Sequence, residues 1–341
     1  MKKIKSAILI EIICICTISG ILLQQHASWA VSAESSGKDF IKWVDFNVSY
    51  EALCAAYQWD VDTVKSEHPI NWVELLAYMG AKNGGNFGPG DLKEIASAGQ
   101  ALSEGKVTME ELTRDLSYYD YYLEAYGAVL NGYVGEYEVE TEPGSGQFEK
   151  EYGLKAYLPV AKGFPYSDYD DFGVSRSYGY RRQHLGHDMM GQIGTPIIAV
   201  ESGYVEAIGW NQYGGWRLGI RSFDKQRYYY YAHLRQNYPY AQGLKEGSYV
   251  TAGDVIGYMG HTGYSTTENV NNIDQVHLHF GIQIIFDESQ KEGNGEIWVN
   301  PYQLIRFLRN HQSETEKIQD TREWQRSRAM KDPAVPREES K

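Results

Sequence analysis

Cysteine is nearly absent from this chain of 341 residues: there are three. Cys14 and Cys16 lie inside an apolar run, which leaves Cys54 alone, so neither an internal disulfide nor a cysteine-based metal site can form. Positive charge is also in deficit. Lys and Arg number 32 against 45 Asp and Glu, a formal net charge of −13. Nucleic-acid binding, which wants a basic patch, is disfavoured, and so is electrostatic capture on an anionic surface. Only one long apolar run exists, Ala7 to Leu23, interrupted by Glu11 and preceded by Lys2, Lys3 and Lys5. With small residues following up to Ala30 and Ala33, residues 1–33 read as a secretory signal, or as an uncleaved membrane anchor through residues 7–23. Either reading puts the bulk of the chain outside the cytoplasm.

What is abundant is tyrosine (28 residues) and glycine (35 residues). Tyrosine suits half-buried strands. The pattern predicts an α+β chain of several parts. Residues 40–131 read as a helical domain: a helix over Tyr50–Trp59, one opened by Asn71 with Glu74 and closed by Gly84 and Gly85, and one over 92–103. Thr108 with Glu111 is expected to open a longer helix reaching about Leu130, with Tyr118, Tyr122 and Tyr126 on one face. Residues 132–153, polar and glycine-bearing, read as a linker. From 154 to 310 short apolar strands alternate with glycines, as in Pro196–Val200, Tyr228–His233 and Val276–Ile285, which argues for a β-rich domain. A short helix is expected near 301–308. Residues 311–341, charged and poor in large apolar groups, read as a disordered tail.

Six of nine histidines fall between 184 and 279. A lone histidine is more often a satisfied core or surface group than a ligand. A set with suitable spacing is different. His184 and Asp188 are four apart, and an even offset in extended chain puts both on one side. His277 and His279 are two apart on a strand, so both face one cleft while Leu278 and Phe280 face a core. Two imidazoles and one carboxylate fill three positions of a tetrahedral zinc ion and leave the fourth for water. One histidine of the 277/279 pair then binds metal and the other does proton work; spacing does not say which. His187, of odd parity, is expected to point away. His233, at a strand end, is a candidate for hydrogen-bonding an oxyanion.

The run from Arg176 to Phe280, about a third of the chain, resembles the catalytic domain of the lysostaphin-type, LytM-like zinc metallopeptidases. The resemblance rests on His184-Leu-Gly-His-Asp188, Gly194-Thr-Pro-Ile-Ile-Ala199, Gly203-Tyr-Val205, Tyr231-Ala-His233-Leu234, Val250 through Gly257, Thr262-Gly-Tyr-Ser265 and His277-Leu-His-Phe280. It implies a mainly antiparallel sheet of the duplicated hybrid motif type. It implies one zinc ion per chain, with His184, Asp188 and His279 as ligands, His277 as general base and His233 as transition-state stabiliser. The substrates implied are peptidoglycan peptides, cross-bridge or stem, at the outer face of a bacterial cell, Gram-positive by analogy of the chain's extensions. Two departures bear on substrate choice. Gly281 stands where the family usually has an acidic residue, and the stretch from Ser265 to Val276 is longer than usual. The helical part has no such resemblance and is expected to position the peptidase or to bind a protein partner or the wall. Two rival readings are a non-catalytic surface module on the same fold, and a carrier domain suggested by the glycine-spaced hairpin of 250–260. The carrier lacks support from the apolar leader.

Overall fold

The computed structural model describes residues 40–177 and 181–336. The expected signal or anchor at residues 1–33, with the tether at 7–23, lies outside the described residues. Among those described, no helix is long and apolar enough to cross a membrane.

From Ile41 onward the helical layer and the sheets belong to one compact unit. The helices are α1 (Tyr50–Thr63), α2 (Trp72–Asn83), α3 (Asp91–Ser103), α4 (Met109–Thr113) and α5 (Tyr119–Leu130). Their starts follow side-chain chemistry. The Asn71 side-chain oxygen accepts from the Val73 and Glu74 N–H groups, and Gly84, at φ 67°, ends α2 in the left-handed region. Thr108 and Glu111 form a capping box, as expected, but the helix they open lasts five residues rather than running to Leu130. Thr113 turns its hydroxyl back to the Met109 carbonyl at 2.8 Å, and Asp115 and Ser117 follow, residues that favour turns over helix interior. Tyr118 is therefore outside α5 and exposed, while Tyr122 and Tyr126 do pack together, with ring centroids 5.3 Å apart.

The expected linker 132–153 is corrected: β1 (Val134–Glu140) and β2 (Phe148–Leu154) pair antiparallel along their whole length. The expected disordered tail is corrected with it. Its residues form β14 (Thr315–Lys317) and β15 (Trp324–Arg326), and β16 (Met330–Lys331) pairs with β1. Their glutamates and lysines sit on solvent-facing positions, which charge counting mistakes for absence of structure. Asp332 anchors the tail: its carboxylate meets buried Lys155 at 2.7 Å and accepts from Ser202 at 2.7 Å.

Between these lie β3 (Ser175–Ser177), β4 (Arg181–Gln183), β5 (His187–Met190), β6 (Pro196–Ile198), β7 (Gly203–Asn211), β8 (Gly215–Ser222), β9 (Arg227–Ala232), β10 (Tyr249–Val250), β11 (Val255–Tyr258), β12 (His277–Ile284) and β13 (Ile297–Val299); α6 (Tyr302–Leu308) follows. The main sheet runs β10-β7-β8-β9-β12-β13, with β5 also on β12, and its pairings are all antiparallel. Alternation sorts its two faces. Leu218, Ile220, Tyr229, Tyr231, Leu278, Phe280, Ile282 and Ile284 are buried in an apolar cluster continuous with that of the helices. Arg227 ties the two layers: fully buried, it grips Glu201 at 2.7 and 3.0 Å and donates to the Ala128 carbonyl of α5 at 2.8 Å.

Candidate metal centre

The opposite face of the main sheet carries the histidines. His279 on β12 is the cross-strand partner of Asp188 on β5 and, on the other side, of Ala232 on β9. Directly opposed residues of an antiparallel pair share a face with Cβ atoms about 5 Å apart. His184, just past β4, is brought over this pair. Its Nε2 lies 3.0 Å from Asp188 Oδ1 and 2.9 Å from His279 Nδ1, and His279 Nδ1 lies 3.0 Å from the same oxygen. Among the described residues these three make up the one group able to hold a metal ion, their ligand atoms all within 4.8 Å of one another.

Their orientation is held from behind. His184 Nδ1 donates to the Asp171 backbone carbonyl at 3.0 Å and stands 3.1 Å from the Asp171 carboxylate. With Nδ1 committed to this donation, Nε2 is the nitrogen that a metal ion would take in place of a proton. Arg176 Nη2 bridges the Asp171 and Asp188 carboxylates at 2.7 and 2.9 Å, fixing the Asp188 oxygen that does not face the histidines. Gly186 leaves room for the His279 ring, which lies 2.6 Å from where a Cβ would stand. Burial disfavours charge on all three groups, yet ion pairing prevails at two of them. Against burial, hydrogen bonds to Asp171 and Asp188 carry His184 up to about 9. Asp188, also opposed by burial, is held far below the usual carboxylate range by His184 and His279. Burial pushes His279 down. Lone pairs of two imidazoles and a carboxylate crowded about 3 Å apart are a donor set suited to a divalent cation, and nitrogen with oxygen suits zinc.

His277 and His233 stand beside this cluster. His277 Nε2 is 3.8 Å from Asp188 Oδ1, and the His233 and His277 ring centroids are 4.7 Å apart. Each gives its Nδ1 proton to a backbone carbonyl, His277 to Gln275 and His233 to Thr262, both at 2.9 Å. Each therefore turns Nε2 towards the cleft as an acceptor when neutral. His233 sits at φ 61°, in the left-handed region, its N–H bonded to the Gly214 carbonyl. Burial, with His277 and His279 adding to it, drives its pKa well below the ordinary value.

His187 points away from the cluster, as its parity predicts, and is buried behind it. Its Nε2 meets Asp168 at 3.0 Å. The groups that sequence reading missed are Asp168, Asp171 and Arg176. The acidic run Asp168 to Asp171, shortly before His184, was a usable signal, because a histidine ligand needs an acceptor for its other ring proton. All five expected site residues line one cleft of about 950 Å³, whose walls include Tyr213, Tyr230, Tyr264 and Trp298.

A sheet that presents two imidazoles and a carboxylate to the floor of an open cleft, with two further histidines alongside, defines a candidate mononuclear metal centre. Comparison with known proteins finds similarity to peptidases. The model of Peptidase family M23 matches residues 182–294. The chain is 33% identical over 160 residues to the L-Ala--D-Glu endopeptidase of Bacillus subtilis (strain 168), covering 47% of this chain and 45% of that protein. It is 36% identical over 120 residues to lysostaphin of Staphylococcus simulans, covering 35% and 20%. A solved structure of a candidate glycyl-glycine endopeptidase from Ruminococcus gnavus superposes with a TM-score of 0.49 at 24% identity, over 80% of this chain and 92% of the other. The chain spans less than half the length of the two curated relatives named here.

Proposed function

We propose that this protein is a zinc-dependent endopeptidase that hydrolyses peptide bonds in bacterial peptidoglycan, outside the cytoplasm. The observation that carries the reading is the convergence of His184 Nε2, Asp188 Oδ1 and His279 Nδ1 at the floor of a cleft of about 950 Å³. The names of the curated relatives, an L-Ala--D-Glu endopeptidase, lysostaphin and a glycyl-glycine endopeptidase, support the substrate class.

His184, Asp188 and His279 would hold one zinc ion. Zinc in such a site acidifies water and polarises a carbonyl. The chain's own residues supply the rest. Arg176 and Asp171 keep Asp188 and His184 aimed. His277 presents a basic Nε2 to the cleft and takes up the proton of the attacking water, then passes it to the leaving amine. His233, one ring away, stabilises the oxyanion. Tyr230, on the same face of β9 as Ala232, and Trp298 form apolar walls for the peptide. Against the reading as a non-catalytic surface module stands the presence of all three candidate ligands.

The test is digestion of purified sacculi with zinc-loaded protein, with released fragments identified by mass. New amino termini at one peptide linkage are expected from the wild type. His277→Ala should keep its zinc and release none. Sacculi left intact by the zinc-loaded wild type would overturn the reading.

A further inference from the structure

The cleft extends past the ligand cluster, and Arg217 on its floor has no counter-ion among the described residues. Arg217 lies on β8, on the face shared with the histidines. The pairing Leu218 with Tyr231 puts Arg217 next to Ala232, and Ala232 is the direct partner of His279. Two strand spacings of about 4.8 Å separate His279 from Arg217, so their Cα atoms lie roughly 10 Å apart along one row of the sheet. The residue between them is a small one. The guanidinium makes no ion pair among the described residues, and its Nη1 is buried with no hydrogen-bond partner. Two acidic groups of the same cleft are engaged elsewhere. Glu206 meets Lys291 at 2.9 Å and Arg221 at 3.5 Å, and Glu296 accepts from the Trp298 indole at 2.7 Å. Tyr228 and Tyr230 lie near Arg217, and the Tyr240 hydroxyl donates to its backbone carbonyl. A half-buried, unpaired guanidinium is the side chain best suited to fork a carboxylate.

We propose that Arg217 anchors a free carboxylate of the peptide substrate, two or three residues from the scissile bond, at about 3.3 Å of extended chain per residue. The cleft then selects acidic stem peptides over uncharged oligoglycine bridges. This rests on the peptidase reading and goes beyond it by choosing between the two peptide classes.

The experiment compares the synthetic peptide L-Ala-γ-D-Glu-L-Lys-D-Ala with its counterpart in which both free carboxyls are carboxamides, and with pentaglycine amide. Hydrolysis is measured on the zinc-loaded full chain, and binding by calorimetry on the chelator-treated full chain. A charge-assisted pair at a partly buried site is expected to favour the free acid about ten- to a hundredfold in kcat/KM, through KM. Arg217→Gln should bring the free acid to within about twofold of the carboxamide and leave the carboxamide unchanged. Arg217→Lys should restore part of the preference. Equal handling of both peptides by the wild type overturns the proposal, as does a preference that survives in Arg217→Gln or a failure of the free acid to bind. Free-acid binding that depends on Arg217, without any hydrolysis, would uphold the anchor and sink the peptidase reading.

Discussion

Asp171→Asn tests whether the centre is built by the groups behind it. The Asp171 carboxylate is buried and touches His184 Nδ1 at 3.1 Å and Arg176 at 2.7 Å, and its own pKa is held far below the ordinary carboxylate range, against burial, by His184 and His187. The amide keeps the shape and one acceptor but loses the charge, and its NH2 group opposes a donor. Arg176 is then left with Asp188 alone, drawing negative charge away from the oxygen that faces the histidines. Loss of such a partner costs about 10- to 100-fold in metal affinity, or about 1.4–2.8 kcal/mol. The Asp171 backbone carbonyl still accepts from His184 Nδ1, so the outcome should fall near tenfold. Competitive titration against a chromophoric chelator measures the zinc Kd, with circular dichroism to show an intact fold. A Kd within twofold of wild type in a folded variant would refute the reasoning.

Three further outcomes follow from named contacts. Gly186→Ala puts a Cβ 2.6 Å from the His279 ring and 2.8 Å from the Phe280 carbonyl, so it should lower stability by about 1–3 kcal/mol and weaken zinc binding together, as read by melting with and without zinc. Arg227→Ala strands the buried Glu201 and frees the Ala128 carbonyl; denaturant titration should show a loss of about 3–5 kcal/mol with zinc affinity unchanged in the protein that remains folded. The metal-free protein should lose stability as pH rises from about 6.5 to about 9. His184 is raised to about 9 when folded, so its contribution is full below the unfolded pKa near 6.5 and is lost as pH passes the folded value. His187 is also raised and adds the same sign, whereas His233 and His279 are lowered and act below that window. Thermal melts across this range should fall without zinc and flatten with it, because a ligated His184 is already deprotonated. A flat profile without zinc would contradict the ion-pair account.

Much of the centre could be read from residue spacing, because strand alternation is a local rule. His277 and His279 share a face and Leu278 and Phe280 the other, as the two-residue period requires. What local rules do not contain is register. Only the pairing of β12 with β5 shows that Asp188 stands opposite His279. The supports of the centre escaped for a related reason, since Asp171 and Arg176 act through contacts made by the chain's return. Spacing also left His277 and His279 equivalent. Their ring nitrogens separate them: His279 turns Nδ1 to the cluster, while His277 commits Nδ1 to Gln275. At the periphery, reading failed where composition misled. Glu138, Glu149 and Lys331 are charged, yet they lie on strands held by backbone ladders and by Asp332. The single helix expected over 109–130 breaks at Thr113, where side-chain hydroxyls compete for the backbone.

Anomalous diffraction at the zinc edge, from crystals of the full chain grown with one equivalent of zinc, asks the central question directly. The account predicts one peak per chain at about 2.0–2.2 Å from His184 Nε2, Asp188 Oδ1 and His279 Nδ1. A peak bound elsewhere, or none at these atoms in protein that has taken up the metal, would contradict it.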